Sequence, residues 1–153
     1  MRTVEPWVTE PLERFLAESS ARLTLLMTSA GQVVAQHGFT RSVDVMTAAA
    51  LGAAIMASTG EIAKLVGESN FLSLAHQGAK QHVFLSAFET PRGRWIGLVV
   101  FDAESTVGLV QLFFERLVKE LAAAAPKQVP EQQVLPENFE RELNASLRAL
   151  FGR

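Results

Sequence analysis

The residues able to do chemistry in this 153-residue chain are few and scattered. Its three histidines are His37, His76 and His82, and the last two flank a turn at Gly78. A strand-turn-strand histidine pair can hold a metal ion, but no acidic or thiol ligand accompanies it, so no metal site and no cofactor are expected. Ser29 and Ser42 stand in no nucleophile elbow, and neither a phosphate-cradling glycine loop nor a dinucleotide fingerprint occurs. Glu61 and Lys64, three residues apart, read as a surface ion pair worth a few tenths of a kcal/mol. Trp7 and Trp95 read as packing residues. No self-contained active site emerges, and the chain is not expected to be an enzyme.

The stretch from Asp44 to Phe71, DVMTAAALGAAIMASTGEIAKLVGESNF, carries more information than any single side chain. On a 3.6-residue period Leu51, Ile55, Ile62 and Val66 fall along one stripe, with Ala48 and Thr59 between them, and this stripe is expected to lie on a sheet. The other side carries Ala50, Ala53, Ala54, Ala57 and Gly60, then Glu61 and Lys64. A solvated helix face normally carries Lys, Glu or Gln. Small residues there either let another backbone come close or reflect only that alanine is the best helix former.

Composition narrows the class. One modest domain with an appendage fits the length. A net charge of −2, without a Lys/Arg cluster, argues against nucleic acid as partner. The N-terminal MRTVEPWVTEP lacks the basic and apolar regions of a signal peptide, and no apolar run is read as reaching membrane-spanning length, so no membrane insertion is expected. The absence of cysteine excludes disulfides and thiolate chemistry and fits a cytoplasmic location.

The elements follow from pattern and punctuation. Thr9 with Pro11 in the first turn predicts a short helix to about Ser20. Residues 21–28 and 33–37 read as a hairpin turning at Gly31. The long helix follows, capped by Ser42 or Asp44 and stopped by Gly67. Residues 71–77, 82–88 and 95–101 are three further strands, and the continuous apolar run WIGLVVF marks the last as central. Ser105 or Thr106 then starts a helix to about Ala124. The expected fold class is α+β: a five-stranded antiparallel sheet with helices on its faces.

In domain terms, residues 1–8 are an extension, 9–125 the domain, 126–136 a Pro/Gln-rich linker and 137–153 a C-terminal amphipathic helix. The linker, at about 3.1 Å per extended residue, can carry that helix roughly 30 Å away. Phe139, Leu143, Leu147 and Leu150 give it a narrow apolar stripe, in a segment too short to be stable alone. It either folds back on its own domain or docks on a partner.

The hairpin LTLLMTSAGQVVA, the helix end EIAKLVGESNF, the phrase HQGAK and the strand GLVVFD followed by STVGLVQL resemble a roadblock (dynein light chain) domain, and more narrowly the bacterial MglB group. The resemblance covers about Leu12 to Ala124. It implies a homodimer in which third strands, here Phe71, Leu72, Ser73, Leu74, Ala75 and His76, pair across a two-fold axis. It implies a Ras-like GTPase of the MglA type, bound in its GTP state across the long helices and activated for hydrolysis, in the service of cell polarity and motility. The matched surface is Ala53, Ala54, Ala57, Gly60, Glu61 and Lys64. Glu61 departs from the pattern, since relatives carry a small or neutral residue there. The C-terminal ERELNASLRALF is similar to a tail helix that reaches a second surface of the GTPase in gliding-type members. The alternative is a roadblock scaffold that binds a GTPase without accelerating it. A small-ligand module would need polar groups converging on the apolar face, and none is read.

Overall fold

The computed structural model describes residues 6–38, 43–71, 73–126 and 144–150. Helix α1 (Pro6–Ser19) is followed by strands β1 (Leu23–Thr28) and β2 (Val33–Gly38), helix α2 (Val45–Leu65), strands β3 (Leu74–Gln77), β4 (His82–Thr90) and β5 (Gly93–Phe101), and helix α3 (Val107–Ala124). The five strands form one antiparallel sheet in the order β2-β1-β5-β4-β3. The expected fold class therefore stands, and β5 sits at the centre with both faces covered, as its unbroken apolar run demands.

Strand alternation divides the core into two layers. Leu26, Phe84, Phe88, Trp95, Val99 and Phe101 point to the face covered by α1 and α3. Leu23, Leu25, Met27, Leu85, Ile96 and Leu98 point to the face covered by α2. On the first face Phe114 of α3 meets Phe15, Phe84 and Phe88 edge-on, with centroids 5.5–5.8 Å apart. Exposed ion pairs, Arg14–Glu120 and Arg116–Glu18, cross from α1 to α3.

Some boundaries differ from the sequence expectation. α1 begins at Pro6, not at Thr9, and Pro11 lies inside it. Proline suits the first turn, and at the sixth position it forfeits one backbone bond that tight packing of Leu12 and Phe15 offsets. β3 is four residues long: Phe71 and Ser73 precede it, and Leu72 lies outside the described residues.

The larger correction concerns α2. Its buried residues are Ala49, Gly52, Ala53, Thr59 and Ala63, while Leu51, Ile62 and Val66, expected on the sheet, are exposed. Ala48, Ile55 and Thr59 of the expected stripe do pack inward, so the helix is turned partway about its axis, and the sheet explains the turn. Leu25, Met27, Leu85 and Leu98 rise from it and already fill the interlayer space, so the helix must offer small residues to approach. At Gly52 an added Cβ would lie 3.3–3.5 Å from Met27, Leu98 and Leu85 together. With its 21 residues and only Glu61 and Lys64 charged, α2 is also long and apolar enough to cross a membrane by length and composition, contrary to the sequence reading. Its small-residue face is seated on the sheet instead.

Candidate partner-binding surface on helix α2

α2 is fixed at both ends by its own sequence. Asp44 accepts hydrogen bonds from the Thr47 N–H at 3.1 Å and the Thr47 hydroxyl at 2.8 Å, capping the first turn. These bonds, the side-chain one foremost, hold the Asp44 carboxyl below its ordinary pKa. At the other end Gly67 takes φ +81° and donates to the Lys64 carbonyl, while the Glu68 N–H donates to Ala63 at 2.8 Å, a Schellman closure.

Between these caps the outward face has two flanks. One carries Ala50, Ala54, Ala57, Glu61 and Lys64, all exposed, with Lys64 Nζ donating to Glu61 at 3.1 Å. The other carries Leu51, Ile62, Leu65 and Val66, with Leu51 59%, Ile62 52% and Leu65 85% exposed. Gly31 of the β1–β2 turn lies beside Ala49, Ala50 and Ala53. The Ala50 flank therefore borders the hairpin, and the Leu51 flank lies on the opposite side of the helix's exposed face. Among the described residues β3 pairs on one side only, with β4, so the sheet ends in an open strand edge. An exposed apolar flank and an open strand edge are both features that a chain covers by association.

Of the six surface residues expected from the sequence, Ala54, Ala57, Glu61 and Lys64 share this exposed face. Gly60 is half-buried, and Ala53, 9% exposed, faces the sheet. The large apolar residues beside them were not expected there. Gly52 in mid-helix was the available signal, because glycine costs a helix about 1 kcal/mol against alanine and is kept where something must come close. Of the dimer-strand residues, Leu74, Ala75 and His76 lie in β3. His76 pairs with Val83 and Gln77 with His82, so His76 and His82 project from opposite faces of the sheet and do not converge. In the tail, Leu147 and Leu150 lie in an exposed helix over 144–150, whereas Phe139 and Leu143 fall outside the described residues.

A solved structure of Myxococcus xanthus MglB is 30% identical to this chain and superposes with a TM-score of 0.66, covering 72% of this chain and 87% of that one. The chain belongs to the MglB family of roadblock proteins. The gliding protein MglB of Thermus thermophilus is likewise 30% identical, with a TM-score of 0.69 and coverage of 78% and 88%. A roadblock domain from Streptomyces avermitilis, 15% identical with a TM-score of 0.64 over 76% and 93% of the two chains, shares the fold. No family model and no curated protein matches the sequence.

Proposed function

We propose that this MglB-family chain is a homodimeric regulator of a bacterial Ras-like GTPase of the MglA type, binding its GTP state and accelerating hydrolysis in the control of cell polarity and motility. It works in the cytoplasm. The observation that carries the reading is the outward face of α2, which leaves Leu51, Ile62 and Leu65 exposed on one flank and Ala54 and Ala57 exposed on the other, in a fold whose β3 edge is open. Pairing of β3 with a second copy would cover Leu51 and Ile62 and bring two α2 helices side by side. The combined Ala54, Ala57, Gly60, Glu61 and Lys64 surfaces would then meet the GTPase.

Activation proceeds without an inserted arginine. A partner's arginine finger is worth about 10³ to 10⁵ in rate. Here Arg22 is paired with Asp102 at 3.0 Å, Arg94 with Glu89 at 3.4 Å, and Arg92 lies over the Trp7 ring at 5.8 Å, while Arg41 lies outside the described residues. The dimer acts by differential binding: it favours the arrangement of the switch loops in which the GTPase's own catalytic groups are aligned.

Single-turnover GTP hydrolysis by the MglA-type GTPase of the same genome, with and without an excess of this chain, tests the reading. Acceleration by orders of magnitude is expected. GTP-dependent binding without acceleration would instead favour a roadblock scaffold. Glu61 is what speaks for that second reading, because its side chain, 73% exposed, is the only acidic group on a flank it shares with Ala50, Ala54, Ala57 and Lys64, and can redirect partner choice.

A further inference from the structure

A cavity of about 170 Å³ lies under the second half of α2. Ala53, Met56, Ala57 and Gly60 form its roof, and Ala87 of β4 and Ile96 of β5 lie across from them on the sheet. Ala57 is exposed as well as lining the cavity, so the mouth opens on the small-residue flank of the helix. Gly60 is the residue with the least local reason to be there. It sits in the helix interior, where glycine is the poorest helix former after proline, and a Cβ added to it would meet nothing within 4 Å. Neither a turn nor a close approach inside this fold requires it.

The lining decides what chemistry fits. Thr59 is turned away, its hydroxyl donating to the Ile55 carbonyl at 2.8 Å. Ser29 donates to the Arg94 carbonyl at 3.0 Å, and the Arg94 guanidinium is paired with Glu89. Asn70, the other polar lining residue, is exposed to solvent. With Thr59, Ser29 and Arg94 engaged, the walls offer an occupant mainly carbon. The volume falls below the roughly 300–1,000 Å³ of small-molecule pockets, which rules against a cofactor or nucleotide and matches one large side chain.

We propose that this cavity is a socket for a single large apolar side chain, of Leu, Met or Phe size, projecting from the GTPase. The inference rests on α2 being the GTPase-binding face and adds what the GTPase must present there. An apolar side chain entering such a socket is the usual form of an interface anchor, and it is desolvated at little cost because the walls hold water poorly.

The test fills the socket from behind. Ala87→Leu adds carbon from the sheet and leaves the outward face of α2 unchanged; Ser29→Leu does the same from the β1–β2 turn and decides the matter if the first variant does not fold. Ala54→Arg, outside the cavity, tests the docking face itself. Binding to the GTPase of the same genome, loaded with a non-hydrolysable GTP analogue, is measured by calorimetry. Each cavity variant is expected to weaken binding at least tenfold with an unchanged or raised melting temperature. Full affinity in the cavity variants with binding lost in Ala54→Arg would overturn the socket and leave the docking face standing. Full affinity in all three would overturn both.

Discussion

Gly97 of β5 lies directly beneath the ring of Phe114, where any added Cβ would overlap the ring. This single contact seats α3 on the centre of the sheet, because Phe114 also holds Phe84 and Phe88 edge-on. Gly97→Ala should therefore cost about 1–3 kcal/mol by overpacking, and Phe114→Ala about 3–5 kcal/mol by leaving a cavity. In the double variant the added methyl has room, so its penalty should be clearly less than the sum. Denaturant unfolding of the three variants measures that coupling.

Thr24 carries a buried hydroxyl for which no hydrogen-bond partner occurs among the described residues. Valine has the same shape without the polar atom. Thr24→Val is expected to raise stability by about 1 kcal/mol, the desolvation cost of the unmet hydroxyl. A lower denaturation midpoint in the variant would mean that the hydroxyl is satisfied in solution.

Ile62 is the clearest handle on self-association. It is 52% exposed in the single chain and lies on the apolar flank of α2 with Leu51 and Leu65. Ile62→Lys should shift the protein from dimer to monomer in light scattering at micromolar concentration while its circular dichroism stays that of the folded chain. A dimer that persists unchanged would move the self-contact elsewhere.

Ala57 sits on the other flank, exposed and without bulk. Ala57→Arg should reduce GTPase binding by more than a hundredfold and leave the dimer folded, since nothing of the core or of the apolar flank is touched. Unchanged affinity would remove this flank from the docking surface.

Asp44 gives α2 a pH-dependent cap. The folded carboxyl titrates below its ordinary value of 3.8 because Thr47 donates to it through both side chain and backbone. A depressed carboxylate pKa means stability that is fully present above the unfolded value and lost as the pH falls through the folded one. Asp44→Ala should thus melt earlier than the parent at pH 7, with the difference shrinking as the pH is taken below 3.8 toward the folded pKa. Asp44→Asn, which keeps an acceptor, should retain most of the cap across that range. Thermal melts at pH 7 and at successively more acidic values read both effects.

Much of the fold was legible because local chemistry and global architecture agree. Asp44 and Thr106, each one of the two candidates the pattern offered, cap helices in the structure, Gly31 and Gly67 take the positive φ their turns need, and WIGLVVF becomes the doubly covered central strand. Periodicity kept Ala50, Ala54, Ala57, Glu61 and Lys64 together on an exposed side but misplaced Ala53, which is buried, and Leu51, Ile62 and Val66, which are exposed. Periodicity alone does not say which face goes inside: Leu51 and Ile62 look like core to any rule that buries the larger residue. That choice was made by Leu25, Met27, Leu85 and Leu98 on three different strands, whose side chains fill the layer from below and favour Ala49, Gly52, Ala53 and Ala63 at the closest approach. The same holds for His76 and His82, near in sequence yet on opposite faces through their register, and for the cavity assembled from a turn, a helix, a loop and two strands. The sequence by itself determined the order of the elements, narrowed the N-caps of α2 and α3 to one of two residues each and carried the resemblance to the family, since these depend on neighbours a few residues apart. Only the tertiary structure decided which side of α2 faces a partner, because interlayer volume is shared among residues far apart in the chain.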